Sequence, residues 1–231
     1  MARSIQQLIE LNLRRVELQS TPPPPPRRER GLDQKPMITI SREFGGRGAE
    51  LGRRIAQKLG FQYHSQELVH EVAKQAKVRK QLVESLDERA RDAVEQWVTE
   101  LFDGESFAPN EYLRNLSKVI GTLGRQGRGV IIGRGAQFIL DPRRTLRIRA
   151  FAPLEHRVAL VAKRRGLGPG EARALVQRVD SERQAFYSQH FDVNVSDSVH
   201  YDVLLNTATL GIGACSDVVL RAYRARFAKA R

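Results

Sequence analysis

One cysteine among 231 residues, Cys215, excludes an internal disulfide and leaves no cysteine pair at metal-ligand spacing. It reads as a small apolar core residue of a helix. Long hydrophobic runs are missing as well. Val130-Ile131-Ile132 is among the longest, far short of the roughly 20 residues that span a bilayer. Met1-Ala2-Arg3-Ser4 leads into no apolar signal core, so the expectation is a protein of the reducing cytoplasm, without a membrane span. Aromatic residues make up only 6% and form no recognisable platform on which nucleic-acid bases would stack. Acids are also scarce, with 26 Asp and Glu against 39 Lys and Arg, a net charge of +13.

That charge is unevenly spread. Eleven Lys or Arg lie between Arg125 and Arg165 against two acids, Asp141 and Glu155, and the tail from Arg221 to Arg231 holds no acid. Such a surface attracts polyanions: nucleotides, nucleic acid or acidic lipid. A solvated arginine-rich face is the alternative for the tail.

At this length the chain suffices for one substantial core with a small appendage. Ile5, Leu8, Ile9, Leu13 and Val16 recur at helical spacing and predict a short amphipathic helix. Pro22 to Pro26 follow, a run that neither helix nor central strand accepts, and read as a semi-rigid linker. Residues 1–35 are therefore expected to be an arm and linker, and 36–231 the folded domain. Met37 to Ser41 is a β-branched strand candidate. A glycine-rich turn follows, then a helix from about Ala49 to Leu59 with Gly60 placed to end it. Phe61 to His64 predicts a second short strand. Gln81 to Phe102 and Glu111 to Leu123 predict helix, Val130 to Ile132 and Leu146 to Phe151 strands, and Leu154 to Arg165 and Glu171 to Gln189 helices. Tyr201 to Asn206 completes the strands and Ile212 to Phe227 the helices. Strands alternating with helices point to an α/β protein with three layers, α/β/α. Its parallel sheet has about five strands, with ligands expected at their carboxyl ends.

The strongest local motif is Ser41-Arg42-Glu43-Phe44-Gly45-Gly46-Arg47-Gly48-Ala49-Glu50, set between a strand and a helix. Glycines let a backbone curl with its N–H groups inward, and the helix start adds positive potential, so the segment suits a phosphate. A ligand-free tight turn would have the same composition. The segment lacks the G-x-x-x-x-G-K-[ST] pattern. Downstream, Arg134 sits at a predicted strand end. Arg157, Arg164 and Arg165 flank Gly166-Leu167-Gly168-Pro169-Gly170, a flexible break suited to a small lid, while Asp180 and Arg183 are neighbours at i, i+3. These arginines supply positive charge that suits a bound phosphate. Glu43, Glu50 and Glu67 are the acids near the phosphate segment. No set of metal ligands stands out, and His64 reads as a surface or hydrogen-bonded histidine.

From Met37 to Gly60, and again at Gly133-Arg134-Gly135, at Asp180 to Arg183 with Tyr187, and at Tyr201-Asp202-Val203-Leu204-Leu205-Asn206-Thr207, the chain resembles the cytidylate kinase-like family, over roughly Lys35 to Phe227. The resemblance implies a P-loop kinase-like fold with a small helical lid and an acceptor-binding insertion. It also implies ATP with Mg2+ as donor, and CMP, dCMP or a related nucleoside monophosphate as acceptor. On it, Ser41, Gly45, Gly46, Arg47, Gly48, Ala49 and Glu50 would hold the donor phosphates. Arg42, Arg47, Arg134, Arg157 and Arg183 would serve the transfer. The phosphate-binding lysine of typical cytidylate kinases falls on Gly48, so Arg42 or Arg47 would replace it; an arginine is a wider planar fork than a lysine and would sit differently. The Asp that usually follows the acceptor arginine is Gly135. Two other readings remain: a degenerate relative that binds nucleotide without transfer, and a basic nucleic-acid-binding module.

Overall fold

The computed structural model describes residues 36–102 and 111–227; the expected arm and proline linker lie outside them. The described residues fall into two compact units, Pro36–Tyr63 together with the chain from Arg128 onward, and His64–Gly127.

The first unit carries the sheet. Its strands are β1 (Met37–Arg42), β2 (Gln62–His64), β3 (Gly129–Ile132), β4 (Thr145–Phe151) and β5 (Val203–Asn206). They lie in the order β2-β3-β1-β4-β5 as a five-stranded parallel sheet, the α/β architecture expected. Register sets β1 at the centre: Ile40 stands opposite Ile132 of β3 and Ile148 of β4, and Phe151 opposite Asn206 of β5. Buried β-branched residues give these strands their near-continuous apolar character, as a sheet covered on both faces requires.

Helix α1 (Gly48–Leu59) returns from β1, and the last helix of the described chain, Thr207–Phe227, packs beside it. Leu51 and Ile55 of α1 meet Ile38, Ile40, Ile132 and Ile148, together with Ile212, Cys215 and Val219 of the last helix. Gly60 ends α1 in the left-handed conformation at φ +65°, its N–H returned to Ala56 and Gln57. Cys215 is buried, as expected.

The second unit is helical: α2 (Gln66–Lys74), α3 (Ala76–Glu84), α4 (Glu88–Phe102) and α5 (Glu111–Gln126). Leu113, Leu116, Val119, Ile120 and Leu123 form the buried stripe of α5, at spacings of three and four, and the other three helices pack against α5. The stretch from Gln81 to Phe102 is not one helix. Asp87 accepts from the Ala90 N–H at 2.8 Å and starts α4, while Leu86 N–H turns back to the Val83 carbonyl, so the chain breaks at Ser85–Asp87. His64, the last residue of β2, is buried rather than surface-placed, and burial pushes its imidazole down to about 4.

Back in the sheet unit, the four-residue helix α6 (Ala136–Ile139) packs against β1. Helices α7 (Leu154–Arg165) and α8 (Pro169–Phe191) form a hairpin around Val158, Val161, Ala172 and Val176, joined through left-handed Gly166. Helix α9 (Thr207–Phe227) begins earlier than the apolar pattern suggests. Asn206 accepts from the N–H groups of Ala208 and Thr209, and a non-helical Gly211 divides the first turn from the segment at Ile212.

Candidate active site

Residues 41–50 turn from the end of β1 into α1 at the carboxyl edge of the sheet. Glu43 N–H extends the β1–β4 ladder to the Ala150 carbonyl at 3.2 Å, and Gly46 N–H closes a turn on the Glu43 carbonyl at 3.1 Å. Gly45, at φ +79°, and Arg47, at φ +54°, take the left-handed backbone that folds this turn, and α1 starts at Gly48. The first N–H groups of any helix lack an intrahelical acceptor, so the turn presents donors at the positive end of α1. Thr207 holds the turn from below, its hydroxyl donating to the Gly46 carbonyl at 3.0 Å.

The two candidate replacements for the lysine are placed differently. Arg47 folds back on its own helix and donates to Glu50 from Nε at 3.0 Å and from Nη2 at 2.6 Å. This bond raises the Arg47 guanidinium further and holds the Glu50 carboxyl below its ordinary range, with Arg164 adding to it at 3.2 Å. Arg42 instead packs the base of its side chain against the start of α1. A Cβ at Gly48 would lie 2.5 Å from Arg42 Cβ and 3.0 Å from its Cγ, so this position has no room for a side chain as the turn stands.

Around the turn is a network of charges. Glu43 accepts from the Ala152 N–H at 3.1 Å and faces Arg157 at 3.2 Å and Arg149 at 3.6 Å. Arg157 is buried, donates to the Ala152 carbonyl at 2.9 Å and the Phe44 carbonyl at 3.1 Å, and pairs with Asp180. Asp180 in turn accepts from the Phe44 N–H at 2.7 Å. Arg183 donates to the Arg42 carbonyl at 3.1 Å and stands 3.8 Å from Asp180. Tyr187 and Val195 join Ser41, Arg42, Glu43, Arg149, Asp180 and Arg183 in lining a cavity of about 470 Å³, a size suited to a small ligand.

Arg134 sits beside this assembly. Gly133 N–H donates to the Ile40 carbonyl at 3.0 Å, and Gly133, Arg134 and Gly135 all have positive φ, a sharp turn off the end of β3. The Arg134 guanidinium lies 5.8 Å from the Phe186 ring, and its Nε is buried without a hydrogen-bond partner among the described residues. Gly135 accepts no side chain: a Cβ there would stand 2.3 Å from the Phe191 ring, which occupies the space an Asp would need. No group of three or more His, Cys, Asp or Glu able to hold a metal occurs among the described residues.

The structure brings the expected Ser41, Arg42, Gly45, Gly46, Arg47, Gly48, Ala49 and Glu50 into one turn, with Arg157 and Arg183 bonded to it and Arg134 on the turn after β3. Asp180 and Arg149 were not among the candidates, and Glu43 stood only as a nearby acid. The signal for Arg149 was a charged residue inside a buried strand; it is itself buried and donates to the Val195 carbonyl at 2.8 Å. Asp180 showed only its helix neighbour Arg183, because its main partners, Arg157 and the Phe44 N–H, lie 23 and 136 positions away.

The sequence matches the model of the cytidylate kinase-like family over residues 37–209. The chain belongs to the cytidylate kinase-like family. Among solved structures, it is similar to an uncharacterised protein from Eubacterium ventriosum, at 20% identity and a TM-score of 0.66, over 84% of this chain and 99% of that one. This likeness concerns the fold. Shikimate kinases match at lower similarity: one from Acinetobacter baumannii in complex with shikimate (14% identity, TM-score 0.44, 86% of this chain and 98% of that one), and one from Bacteroides thetaiotaomicron (14%, 0.43, 80% and 96%). No curated protein matches the sequence. Family membership carries a kinase-like, nucleotide-binding fold to this chain. None of the described helices is long and apolar enough to cross a membrane.

Proposed function

We propose that the protein is an ATP-dependent phosphotransferase whose acceptor is CMP or a related nucleoside monophosphate. The observation that carries this reading is the glycine turn running from the carboxyl end of β1 into α1, beside a cavity that Arg42 lines. In this reading Arg42 supplies the charge the lysine would have given. Arg47, tied to Glu50, contributes to the shape of the turn rather than to the ligand.

The residues present fit the phosphates of a nucleotide: a glycine turn, helix-start N–H groups and arginine. Among the described residues no group of three or more His, Cys, Asp or Glu could hold a metal, and Mg2+ is read as arriving with the nucleotide, where it would neutralise phosphate charge. The acceptor's phosphate oxygen is already ionised. It attacks the γ-phosphorus, the bond to the bridging oxygen breaks, and ADP leaves with that electron pair, so no protein base is required. In this reading, the N–H groups of residues 47–50 and Arg42 hold the donor, while Arg183 and Arg134 steady charge on the transferring and accepting groups. Arg157, committed to Glu43 and Asp180, holds the turn in place.

The basic character does not favour nucleic acid as the principal partner. Within the cluster from Arg125 to Arg165, Arg143 pairs with Asp141, Arg147 with Asp202, Arg149 and Arg157 with Glu43, and Arg164 with Glu50. Much of that charge answers acids within the fold. The test is ADP release from ATP and Mg2+ with CMP, dCMP, UMP or AMP, each against a blank without acceptor. Acceptor-dependent ADP is expected, highest with CMP or dCMP. ADP at the blank rate with every acceptor, together with measurable ATP binding, would instead describe a nucleotide binder without transfer.

A further inference from the structure

We infer that Asp180 is a positioning residue for the phosphate turn, acting from α8 through the Phe44 N–H and Arg157; this rests on the phosphotransfer reading above. The peptide group at Phe44 is gripped on both sides. Asp180 accepts its N–H at 2.7 Å, Arg157 donates to its carbonyl at 3.1 Å, and Asp180 and Arg157 are paired with each other. One closed ring of charge-assisted bonds therefore encloses the residue that opens the Phe44-Gly45-Gly46 turn. Such bonds are shorter and stronger than neutral ones.

A second grip lies one turn along α8, where Arg183 donates to the Arg42 carbonyl at 3.1 Å. The guanidinium groups of Arg165 and Arg183 both lie over the Phe44 ring, at 5.7 and 5.6 Å. Residues 42–44 are thus clamped by the helix that follows the lid break, across 136 and 141 positions of sequence. Gly45 and Gly46 resist no distortion of their own, since glycine costs little to move in φ and ψ. An anion-binding turn made of glycines needs an external frame to hold its donors in one arrangement, and Asp180 provides the only carboxylate bonded to a turn N–H among the described residues. Order in the turn and the position of α8 are linked through it.

The experiment measures binding of ADP and of a non-hydrolysable ATP analogue, with Mg2+, to the full chain by calorimetry, alongside KM for ATP and for the acceptor. Asp180→Ala is expected to bind both nucleotides about ten-fold more weakly and to raise KM for ATP. Asp180→Asn keeps an oxygen for the Phe44 N–H but loses the charge facing Arg157, and falls between wild type and Asp180→Ala. A purely structural role would lower the melting midpoint without moving nucleotide affinity of the folded protein. Wild-type affinity in Asp180→Ala overturns the inference. If that variant does not fold, unchanged affinity in Asp180→Asn overturns it equally. A wild-type chain that binds neither nucleotide overturns the phosphotransfer reading itself, and this inference with it.

Discussion

Arg42 and Arg47 are the same residue type five positions apart, and the fold places them differently. Arg47 pairs with Glu50, whereas Arg42 packs its stem against Gly48 and lines the cavity. Arg42→Ala should lower kcat/KM about 100-fold or more, the scale of removing one donor that faces developing charge. Arg47→Ala should lower it only a few-fold, and steady-state kinetics of the two variants side by side checks the difference. His64 gives a prediction about pH. Its folded pKa of about 4 lies below the ordinary 6.5, so the unfolded chain takes up a proton first as pH falls. The stability it contributes is present above about pH 6.5 and is lost progressively down to about pH 4. That contribution is at most about 3 kcal/mol, since a tenfold change in proton affinity is worth about 1.4 kcal/mol. Urea denaturation at pH 7 and pH 4.5 should show a smaller loss for His64→Gln than for the wild type. The sequence left both residues undecided: nothing local distinguishes an arginine bound to its helix neighbour from one crossing to another element. Burial of a histidine at a strand end depends on what is packed around it.

At the scale of elements, most of the fold was legible. Met37 to Ser41, Val130 to Ile132 and Leu146 to Phe151 are strands because β-branched runs bounded by glycine or turn residues have few alternatives, and Gly60 ends α1 as its position suggested. The break at Ser85–Asp87 was hidden because a side-chain cap replaces glycine or proline there, leaving helical periodicity on both sides. The start of α9 was hidden by Asn206, which serves at once as strand end and helix cap. Three glycines test how the elements fit. Gly48→Ala would drive a Cβ into Arg42 and should reproduce the kinetic defect of Arg42→Ala, with roughly 1–3 kcal/mol lost to overpacking. Gly135→Ala meets the Phe191 ring at 2.3 Å and a left-handed backbone together, and should destabilise more. Gly60→Ala has open space around it and should cost only the backbone strain, about 1–2 kcal/mol. Denaturation midpoints should fall furthest in Gly135→Ala, less in Gly48→Ala and least in Gly60→Ala.

At the scale of the whole molecule, a net charge of +13 sits on a fold whose sheet edge gathers Arg42, Arg149, Arg157 and Arg183 around two carboxylates, Glu43 and Asp180. The order of motifs along the chain made this gathering legible in outline, since strand ends of a parallel sheet converge on one edge. Pairing across that edge was not legible, because it depends on how α7 and α8 return over the turn. Retention of nucleic acid by the purified protein should be weak and vanish as salt rises through about 0.2 M, as expected of contacts made by phosphate charge alone. The most direct measurement is the initial rate of ADP formation from ATP, Mg2+ and CMP, for wild type and Arg42→Ala at equal concentration. A CMP-dependent rate is expected in the wild type, and at least about 100-fold less in the variant. Equal rates in the two proteins would contradict the role given to Arg42, and no acceptor-dependent ADP from the wild type with any nucleoside monophosphate would contradict the phosphotransfer reading.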